Sequence, residues 1–427
     1  MAKRERMSGN EAIAYAMKQI DPDVMGTYPI TPSTEIPQYF SSYVANGEVN
    51  TVFVPVESEH SAMSTCIGAS AAGARAITAT SSAGFALMWE LLYVAASDRL
   101  PIVMAVVNRA LTGPININCD HSDSMGARDA GWIQIYSENN QEAYDNYIQA
   151  FPIAERCRLP IMICQDGFIT SHDVENITLY EDSEVKDFVG EYEPEHFLLK
   201  KDETMAVGPY GVSNYYMEIK KAQAEAMKAA RGTIKEVGAE FKEAFGTGYD
   251  LIEKNMMDDA ELAVVVLGSS AGTGKAAVQM LRDNGIKAGL VKIRVFRPFP
   301  REELKEALSG VKAVAAMDKS EGMSGCGGPV FAETRSALYD AADRPLMIDY
   351  VYGLGGRDVT IKTFEDIFGE LAKIAESGDT GDIYRHIGVR GDDDKGAAYS
   401  NTDSIDREVE IAKTGSMPED NSEKEAE

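Results

Sequence analysis

Residues 52–73 read V-F-V-P-V-E-S-E-H-S-A-M-S-T-C-I-G-A-S-A-A-G, and this stretch predicts a strand that leads directly into a helix. The apolar run up to Val56 suits a buried strand, and the small residues after His60 suit a helix packed closely against a neighbour. Glu59 lies between the two, where open α/β sheets bind ligands. Acidic residues are also common in the first helical turn because they offset the helix dipole, so Glu59 alone does not identify a site.

Two further polar residues are predicted to follow strands in the same way. Thr31 lies in Y-P-I-T-P at 28–32, where two prolines restrict the backbone to an extended turn. Arg109 follows the apolar run 101–107; its planar guanidinium suits a small carboxylate, and pairing with a surface acid is the ordinary alternative. Parallel strands would bring Thr31, Glu59 and Arg109 to one sheet edge, where they would form a site for a small anionic substrate.

The succession of apolar runs predicts an α/β protein with two domains and a tail. Residues 1–250 are predicted to form a doubly wound domain, in which the polar segment 172–210 and a long helix near its end act as a connector. Residues 251–380 are predicted to form a smaller α/β domain. Residues 381–427 are rich in acidic side chains and poor in aromatic ones, and are predicted to form a mobile tail.

The charge balance excludes several classes of partner. The chain has 41 basic and 68 acidic residues and a net charge of −27, which argues against a surface for nucleic acid or anionic membranes. No apolar run approaches the roughly 18 residues that span a bilayer, and the first residues lack the apolar core of a signal peptide. We therefore expect a cytoplasmic protein with neither nucleic-acid nor membrane partners.

The cysteines do not form a recognisable metal-binding pattern. The five cysteines include no C-x-x-C pair, which is typical of reduced intracellular thiols and not of an iron–sulfur or zinc site. The segment C-D-H-S-D at 119–123 has metal-ligating residue types, but their spacing matches no known site, and a polar loop beside a pocket explains them equally well. We therefore predict no metal ligand in this chain.

Seven segments of the chain resemble the α subunits of the multi-subunit pyruvate:ferredoxin oxidoreductase family, within the 2-oxoacid:ferredoxin oxidoreductases. The resemblance covers about residues 10–374 and does not extend to the acidic tail. The order and spacing of several motifs are far more specific than any one of them. The segments are Y-P-I-T-P at 28–32, E-S-E-H-S-A at 57–62, V-N-R-A at 107–110, C-D-H-S-D at 119–123, L-G-S-S at 267–270, I-R-V-F-R-P-F-P at 293–300 and Y-G-L-G-G-R-D at 352–358.

This resemblance implies a thiamine diphosphate enzyme. The first domain would bind the pyrimidine ring of the cofactor, and the second would be like the carboxy-terminal domain of transketolase. Glu59 would hydrogen-bond the pyrimidine ring, Thr31 would contact the substrate and Arg109 would hold its carboxylate. The implied reaction is the reversible oxidative decarboxylation of pyruvate with coenzyme A to acetyl-CoA and CO₂, with electrons passing to ferredoxin.

The resemblance also implies partner subunits. The G-D-G motif, with which thiamine enzymes hold the diphosphate through Mg²⁺, is absent from the sequence. A β subunit would therefore bring the diphosphate, Mg²⁺ and a proximal cluster, a δ-type subunit would bring further [4Fe–4S] clusters, and a γ subunit would complete the complex. We expect a dimer of such hetero-oligomers, which is active only when assembled.

Three alternatives remain open from the sequence. The substrate could be another 2-oxoacid, namely 2-oxobutyrate, a branched-chain oxoacid, 2-oxoglutarate or oxalate, although E-S-E-H-S-A is more similar to the pyruvate group. The chain could be the β chain of a lipoamide-linked 2-oxoacid dehydrogenase, which has the same domain order. It could also be a structural subunit that keeps only the fold, although all three polar site residues are in place.

Overall fold

A computed structural model describes residues 3–389, whose strands form three sheets. The strands are β1 (Lys3–Ser8), β2 (Val24–Thr27), β3 (Val52–Pro55), β4 (Ala76–Thr80), β5 (Val103–Asn108), β6 (Ile133–Tyr136), β7 (Ile161–Asp166), β8 (Val174–Leu179), β9 (Ile252–Asn255), β10 (Leu262–Val266), β11 (Ala288–Ile293), β12 (Val295–Arg297), β13 (Ala313–Asp318), β14 (Leu346–Val351) and β15 (Tyr384–His386). The helices are α1 (Gly9–Ile20), α2 (Glu35–Ala45), α3 (Glu59–Ala71), α4 (Ser82–Leu87), α5 (Trp89–Ser97), α6 (Ser122–Gly126), α7 (Asn140–Cys157), α8 (Asp182–Val189), α9 (Tyr216–Phe245), α10 (Ser270–Asp283), α11 (Arg301–Ala307), α12 (Pro329–Leu338) and α13 (Ile361–Ser377). A 3₁₀ turn covers Leu354–Gly356.

The first sheet has seven strands in the order β12-β6-β7-β5-β4-β2-β3. All neighbours in it are parallel except β12 and β6. Every residue of β4, β5 and β7 is buried, because helices cover both faces of the sheet. This burial accounts for the nearly unbroken apolar runs of these strands and confirms the predicted α/β fold class.

The second sheet has six strands in the order β15-β14-β13-β10-β11-β9, and only β9 runs antiparallel to its neighbour. Helices α10 and α13 pack on one face of this sheet, and α11 and α12 lie on the other. The third sheet is the antiparallel pair β1 and β8. None of the helices in the described range combines the length and the apolar character needed to cross a membrane.

The two large sheets belong to one unit, which ends at Gly388. One apolar cluster is shared between them and includes Trp132 and Met162 of the first part of the chain with Val265 and Val291 of the second. In addition, β12 follows β11 of the second sheet directly, yet it pairs with β6 at the edge of the first sheet. The second part of the chain therefore completes the first sheet.

Two segments outside the predicted strands and helices contain regular structure. The polar segment 172–210, predicted to act as part of a connector, contains β8 and α8. The tail was predicted to begin at 381, but the strand β15 pairs with β14 and extends the second sheet to His386. The rest of the predicted tail, from residue 390 on, lies outside the described residues.

Candidate active site

The predicted site residues follow the carboxyl ends of parallel strands in the first sheet. Thr31 comes after β2, Glu59 after β3 and Arg109 after β5. These strands occupy the order β5-β4-β2-β3, so the three residues lie along one sheet edge, as the sequence predicted. The helix α4 follows β4, the strand that lies between β5 and β2 in this order.

Glu59 is the first residue of α3, whose amino end is capped by Ser58, the hydroxyl of which accepts a hydrogen bond from Ser61 N–H. Glu59 is only 5% exposed as a residue, and its carboxyl forms no ion pair within residues 3–389. Burial raises the pKa of this carboxyl above its ordinary value, against the opposing effect of its own backbone N–H. A carboxylate that merely offset the helix dipole would be exposed, so this alternative does not account for Glu59.

Gly84 explains how the Glu59 carboxyl is covered. This glycine lies in α4, and a Cβ atom at its position would lie 2.7 Å from Glu59 Cδ, which is closer than atoms of that kind approach. The absence of a side chain therefore allows the backbone of α4 to contact the carboxyl group. Sequence reasoning did not assign Gly84 to the site, although the small residues at 81–84 were the available signal.

Arg109 is buried, with 6% of its surface exposed, and forms no ion pair with a carboxylate among the described residues. Its Nε donates to the carbonyl of Asn116 at 2.9 Å, and its Nη1 donates to the carbonyl of Thr31 at 2.9 Å. Pairing with a surface acid is therefore not its role in this structure. A buried guanidinium held only by carbonyl groups can pair with an incoming carboxylate.

Thr31 is exposed, and it accepts the hydrogen bond from Arg109 through its main-chain carbonyl, not through its hydroxyl. The turn that contains Thr31 is held by α1, because Asn10 Nδ2 donates a hydrogen bond to the carbonyl of Pro32 at 2.9 Å. A Cβ atom at Gly167, after β7, would lie 2.8 Å from Pro32 Cγ, so only glycine permits the turn to pack there. The turn thus presents Thr31 beside Arg109.

The structure joins Thr31 and Arg109 directly, whereas no recorded hydrogen bond or ion pair within residues 3–389 joins Glu59 to either of them. Glu59 and Arg109 are instead connected indirectly. Ser82, which begins α4, and Arg109 both donate their N–H groups to Asp123 Oδ2 at 3.0 Å, and Gly84 of α4 contacts Glu59. Sequence reasoning placed Asp123 only in a polar loop and gave it no role.

The loop that holds C-D-H-S-D meets the second sheet through a buried charge cluster. Asp166, at the end of β7, accepts a hydrogen bond from Lys319 Nζ at 2.8 Å and from Ser269 Oγ at 2.6 Å, and its other oxygen lies 2.7 Å from His121 Nε2. Burial alone would raise the pKa of Asp166, but Lys319 and His121 together hold it well below its usual range. Cys119, His121 and Asp166 are close enough to bind a cation, but the Lys319 ammonium already neutralises the carboxylate.

Comparison with protein families gives two matches along the chain. Residues 15–239 match the model described as pyruvate flavodoxin/ferredoxin oxidoreductase, thiamine diphosphate-binding. Residues 260–364 match the model described as pyruvate:ferredoxin oxidoreductase core domain II.

Individual relatives are similar over most of their length. The chain is 50% identical over 397 residues to pyruvate synthase subunit PorA of Thermotoga maritima, covering 91% of this chain and 99% of that protein. It is 44% identical over 373 residues to ketoisovalerate oxidoreductase subunit VorA of Pyrococcus abyssi, covering 87% and 94% of the two chains. The solved 2-oxoglutarate:ferredoxin oxidoreductase of Magnetococcus marinus shares the fold, with a TM-score of 0.64, 19% identity, and 86% of this chain and 65% of that chain covered. The two family matches and the extent of the Thermotoga similarity together show that this chain belongs to the pyruvate flavodoxin/ferredoxin oxidoreductase family.

Proposed function

We propose that this chain is the α subunit of an enzyme that oxidatively decarboxylates pyruvate with coenzyme A to acetyl-CoA and CO₂ and passes the electrons to ferredoxin, in a reversible reaction. The observation that carries the proposal is a pair of buried, ionisable side chains at one sheet edge, Glu59 and Arg109, neither of which has an ionic partner among residues 3–389. The 50% identity to a pyruvate synthase subunit supports the choice of reaction.

The residues at this edge fit thiamine diphosphate, the cofactor for which the matched family is described. When bound, that cofactor supplies a carbon nucleophile that can add to the 2-oxo group of a substrate. Glu59 fits the pyrimidine ring because burial raises its pKa and makes the protonated carboxyl accessible, so that it can exchange a proton with a ring nitrogen. The close backbone of α4 at Gly84 limits the access of water to this carboxyl.

Arg109 and Thr31 fit a small monocarboxylate. The Arg109 guanidinium would bind the substrate carboxylate, while the exposed Thr31 contacts the rest of a small molecule. A dicarboxylate such as 2-oxoglutarate needs a second cation, and the buried Lys319 nearby is already paired with Asp166. Pyruvate and branched-chain oxoacids both have a single carboxylate. The 44% identity to a ketoisovalerate oxidoreductase subunit therefore makes a branched-chain oxoacid the second candidate substrate.

Exposed apolar side chains near the site support a partner that closes it. They are Leu87 and Trp89 after β4, and Leu111, Ile115 and Ile117 after β5; Ile115 is 74% exposed. Such exposure on a folded chain is typical of an interaction surface. We infer that a β subunit covers it and supplies the diphosphate-binding groups, Mg²⁺ and a cluster.

Further features of the assembly belong to the same proposal. We infer that γ and δ-type subunits carry the electrons onward through [4Fe–4S] clusters to ferredoxin, in a dimer of hetero-oligomers in the cytoplasm. The five cysteines of this chain include no C-x-x-C pair, and on this spacing we infer that other subunits hold the clusters. The division of the chain into domains at 1–250 and 251–380 is also a proposal, supported by the two large sheets.

The substrate proposal can be tested on the complex reconstituted with its partner subunits. We expect coenzyme A-dependent viologen reduction with pyruvate at a kcat/KM about 10–200-fold above that for 3-methyl-2-oxobutanoate, the range that a small change in apolar bulk produces. A higher kcat/KM for 2-oxoglutarate would contradict the substrate assignment. Reduction of lipoamide in place of viologen would indicate the lipoamide-linked dehydrogenase.

Gly84→Ala should weaken cofactor binding without unfolding the protein. The added Cβ would displace the Glu59 carboxyl from its position against α4, so we expect the Kd for thiamine diphosphate in the complex to rise about tenfold, the effect of losing roughly 1.4 kcal/mol. Calorimetric titration measures this change. Gly68→Ala is the matched control, because Gly68 lies in α3 with Glu59 and, apart from the neighbouring residues of its own helix, no atom lies within 4 Å of its added Cβ. An equal Kd in both variants would rule out this role for Gly84.

A further inference from the structure

Asp123 is a buried carboxylate that accepts four hydrogen bonds. Its side chain is 1% exposed. Its Oδ2 accepts from Ser82 N–H and Arg109 N–H, both at 3.0 Å. Its Oδ1 accepts from Asn108 Nδ2 at 2.8 Å and from Ser124 N–H at 2.7 Å. Within the described part of the chain it pairs with no cation, so N–H dipoles alone hold its charge.

The two bonds at Oδ2 connect the two halves of the site. Arg109 is the proposed ligand of the substrate carboxylate. Ser82 is the first residue of α4, and two residues later Gly84 contacts the Glu59 carboxyl. One oxygen atom of Asp123 therefore sets the spacing between Arg109 and the helix that covers Glu59.

The backbone at Ser82 shows that this connection is held under strain. Its φ is 41°, in the left-handed region that residues with a side chain rarely adopt. Such a conformation persists only where surrounding contacts fix it. Ser82 is fixed twice, since its N–H donates to Asp123 and its hydroxyl donates to the carbonyl of Ala110 at 2.5 Å.

Burial also disfavours the ionised form of Asp123. Burial raises the pKa of Asp123 to about 6, although its four hydrogen bonds oppose this effect. A group that served only the stability of the fold would not need a charge in this position. Its geometry has a more direct explanation in the spacing of the groups that it joins.

We propose that Asp123 is a positioning residue that holds Arg109 and the start of α4 at a fixed separation, so that the substrate carboxylate and the cofactor ring at Glu59 have one mutual geometry. This inference rests on the proposed function. Because Asp123 is buried, we assign it no direct contact with either ligand.

The test is Asp123→Asn in the reconstituted complex. An amide keeps the volume, but it can accept hydrogen bonds at only one of the two oxygen positions, and its NH₂ group would face two N–H donors. We expect the KM for pyruvate to rise about tenfold, which is the size of effect expected when a hydrogen bond to a charged group is lost. The KM for coenzyme A should change less than about twofold, since Arg109 is assigned to the 2-oxoacid alone.

Ser124→Ala is the matched control. It removes a hydroxyl that contacts Tyr136 OH at 2.8 Å and accepts from Asn108, but it leaves the backbone N–H that donates to Asp123. We expect its KM for pyruvate to equal that of the unaltered complex. Hydrogen exchange supplies a readout that does not depend on substrate: the amides of 82–87 and 109–111 should exchange faster in Asp123→Asn and not in Ser124→Ala.

The outcomes are distinguishable. An unchanged KM and an unchanged kcat for pyruvate in Asp123→Asn, or equal changes in both variants, would overturn the positioning role. A lower kcat in Asp123→Asn alone would support it, because misaligned groups slow the reaction itself. If Asp123→Asn does not assemble, Asn108→Ser decides, because it removes only one of the four donors; a raised KM for pyruvate supports the role and an unchanged KM overturns it. An unaltered complex without pyruvate-dependent activity would instead contradict the proposed function, while the exchange measurement would still report on Asp123.

Discussion

Glu59→Gln is expected to lower kcat of the assembled enzyme by about 10²–10⁴-fold, the usual contribution of a positioned proton donor or acceptor. Glutamine has nearly the same shape as glutamate, and Glu59 has no ionic partner in the described structure, so the substitution should leave folding and subunit assembly intact. What it removes is the exchangeable proton of a buried carboxyl. Viologen reduction with pyruvate measures kcat, and the cofactor content of the purified complex shows whether binding is retained.

Although Glu59→Gln lowers activity, it should not lower the free energy of unfolding at neutral pH. Burial raises the pKa of Glu59 in the folded protein, so the folded chain resists ionisation of this group more than the unfolded chain does. Its contribution to the free energy of unfolding is therefore largest at acidic pH and is lost as the pH rises past the folded pKa. At neutral pH, Glu59→Gln should be at least as stable as the unaltered protein in urea denaturation. Loss of activity with retained stability distinguishes a functional residue from a structural one.

Glu57→Gln is the matched control for both measurements. Glu57 lies two positions earlier, is exposed, and accepts a hydrogen bond from the Ser61 hydroxyl, which lowers its pKa. We expect kcat close to that of the unaltered enzyme. Equal losses of kcat in the Glu57 and Glu59 variants would contradict the assignment of Glu59.

The main architecture could be predicted because the central parallel strands β4, β5 and β7 are buried on both faces. The strand β3, predicted to be buried, lies at the edge of the sheet and is partly exposed. In β5 and β7 every residue is buried, so each strand forms a continuous apolar run that is visible in the sequence. Once such runs are known to be parallel, the residues that follow them must lie at one edge, which is how Thr31, Glu59 and Arg109 could be predicted to lie together.

The remaining elements could not be predicted because their sequences carry weak patterns. The strand β8 pairs only with β1 in a partly exposed sheet, and its residues alternate poorly between apolar and polar types. The strand β12 has three residues, and its partner β6 is more than 150 positions earlier in the sequence. Pairing of this kind depends on the folded arrangement and leaves no local signal.

The placement of the candidate site residues at one sheet edge could be predicted, but their contacts could not. The sequence leaves Arg109 free to pair with any acid, and only the fold shows that its N–H groups reach the carbonyls of Thr31 and Asn116. Gly84 and Asp123 were missed for the same reason. Each contacts a residue that is distant in sequence, and neither the contact of Gly84 with Glu59 nor the burial of Asp123 follows from residue type.

Lys319→Met is expected to lower the free energy of unfolding of the full-length chain at neutral pH by about 3–5 kcal/mol, the cost of removing one partner from a buried ion pair. Asp166 ends β7 of the first sheet, and Lys319 follows β13 of the second, so their 2.8 Å contact ties the two sheets together. Urea denaturation followed by the fluorescence of the buried Trp132 measures the change. Lys373→Met is the control; it removes an exposed pair with Glu370, and the change should be within about 1 kcal/mol.

The loss of stability in Lys319→Met should depend on pH. The folded pKa of Asp166 lies well below its usual value, so the pair contributes stability above the unfolded pKa of about 3.9 and loses it as the pH falls through the folded pKa. The difference between Lys319→Met and the unaltered chain should therefore be largest near neutral pH and shrink in acid. Adding Asp166→Asn to Lys319→Met should restore part of the lost stability, because no unpaired buried charge then remains. A double variant that is less stable than Lys319→Met by the full cost of a second, independent substitution would show that the two side chains do not act as a pair.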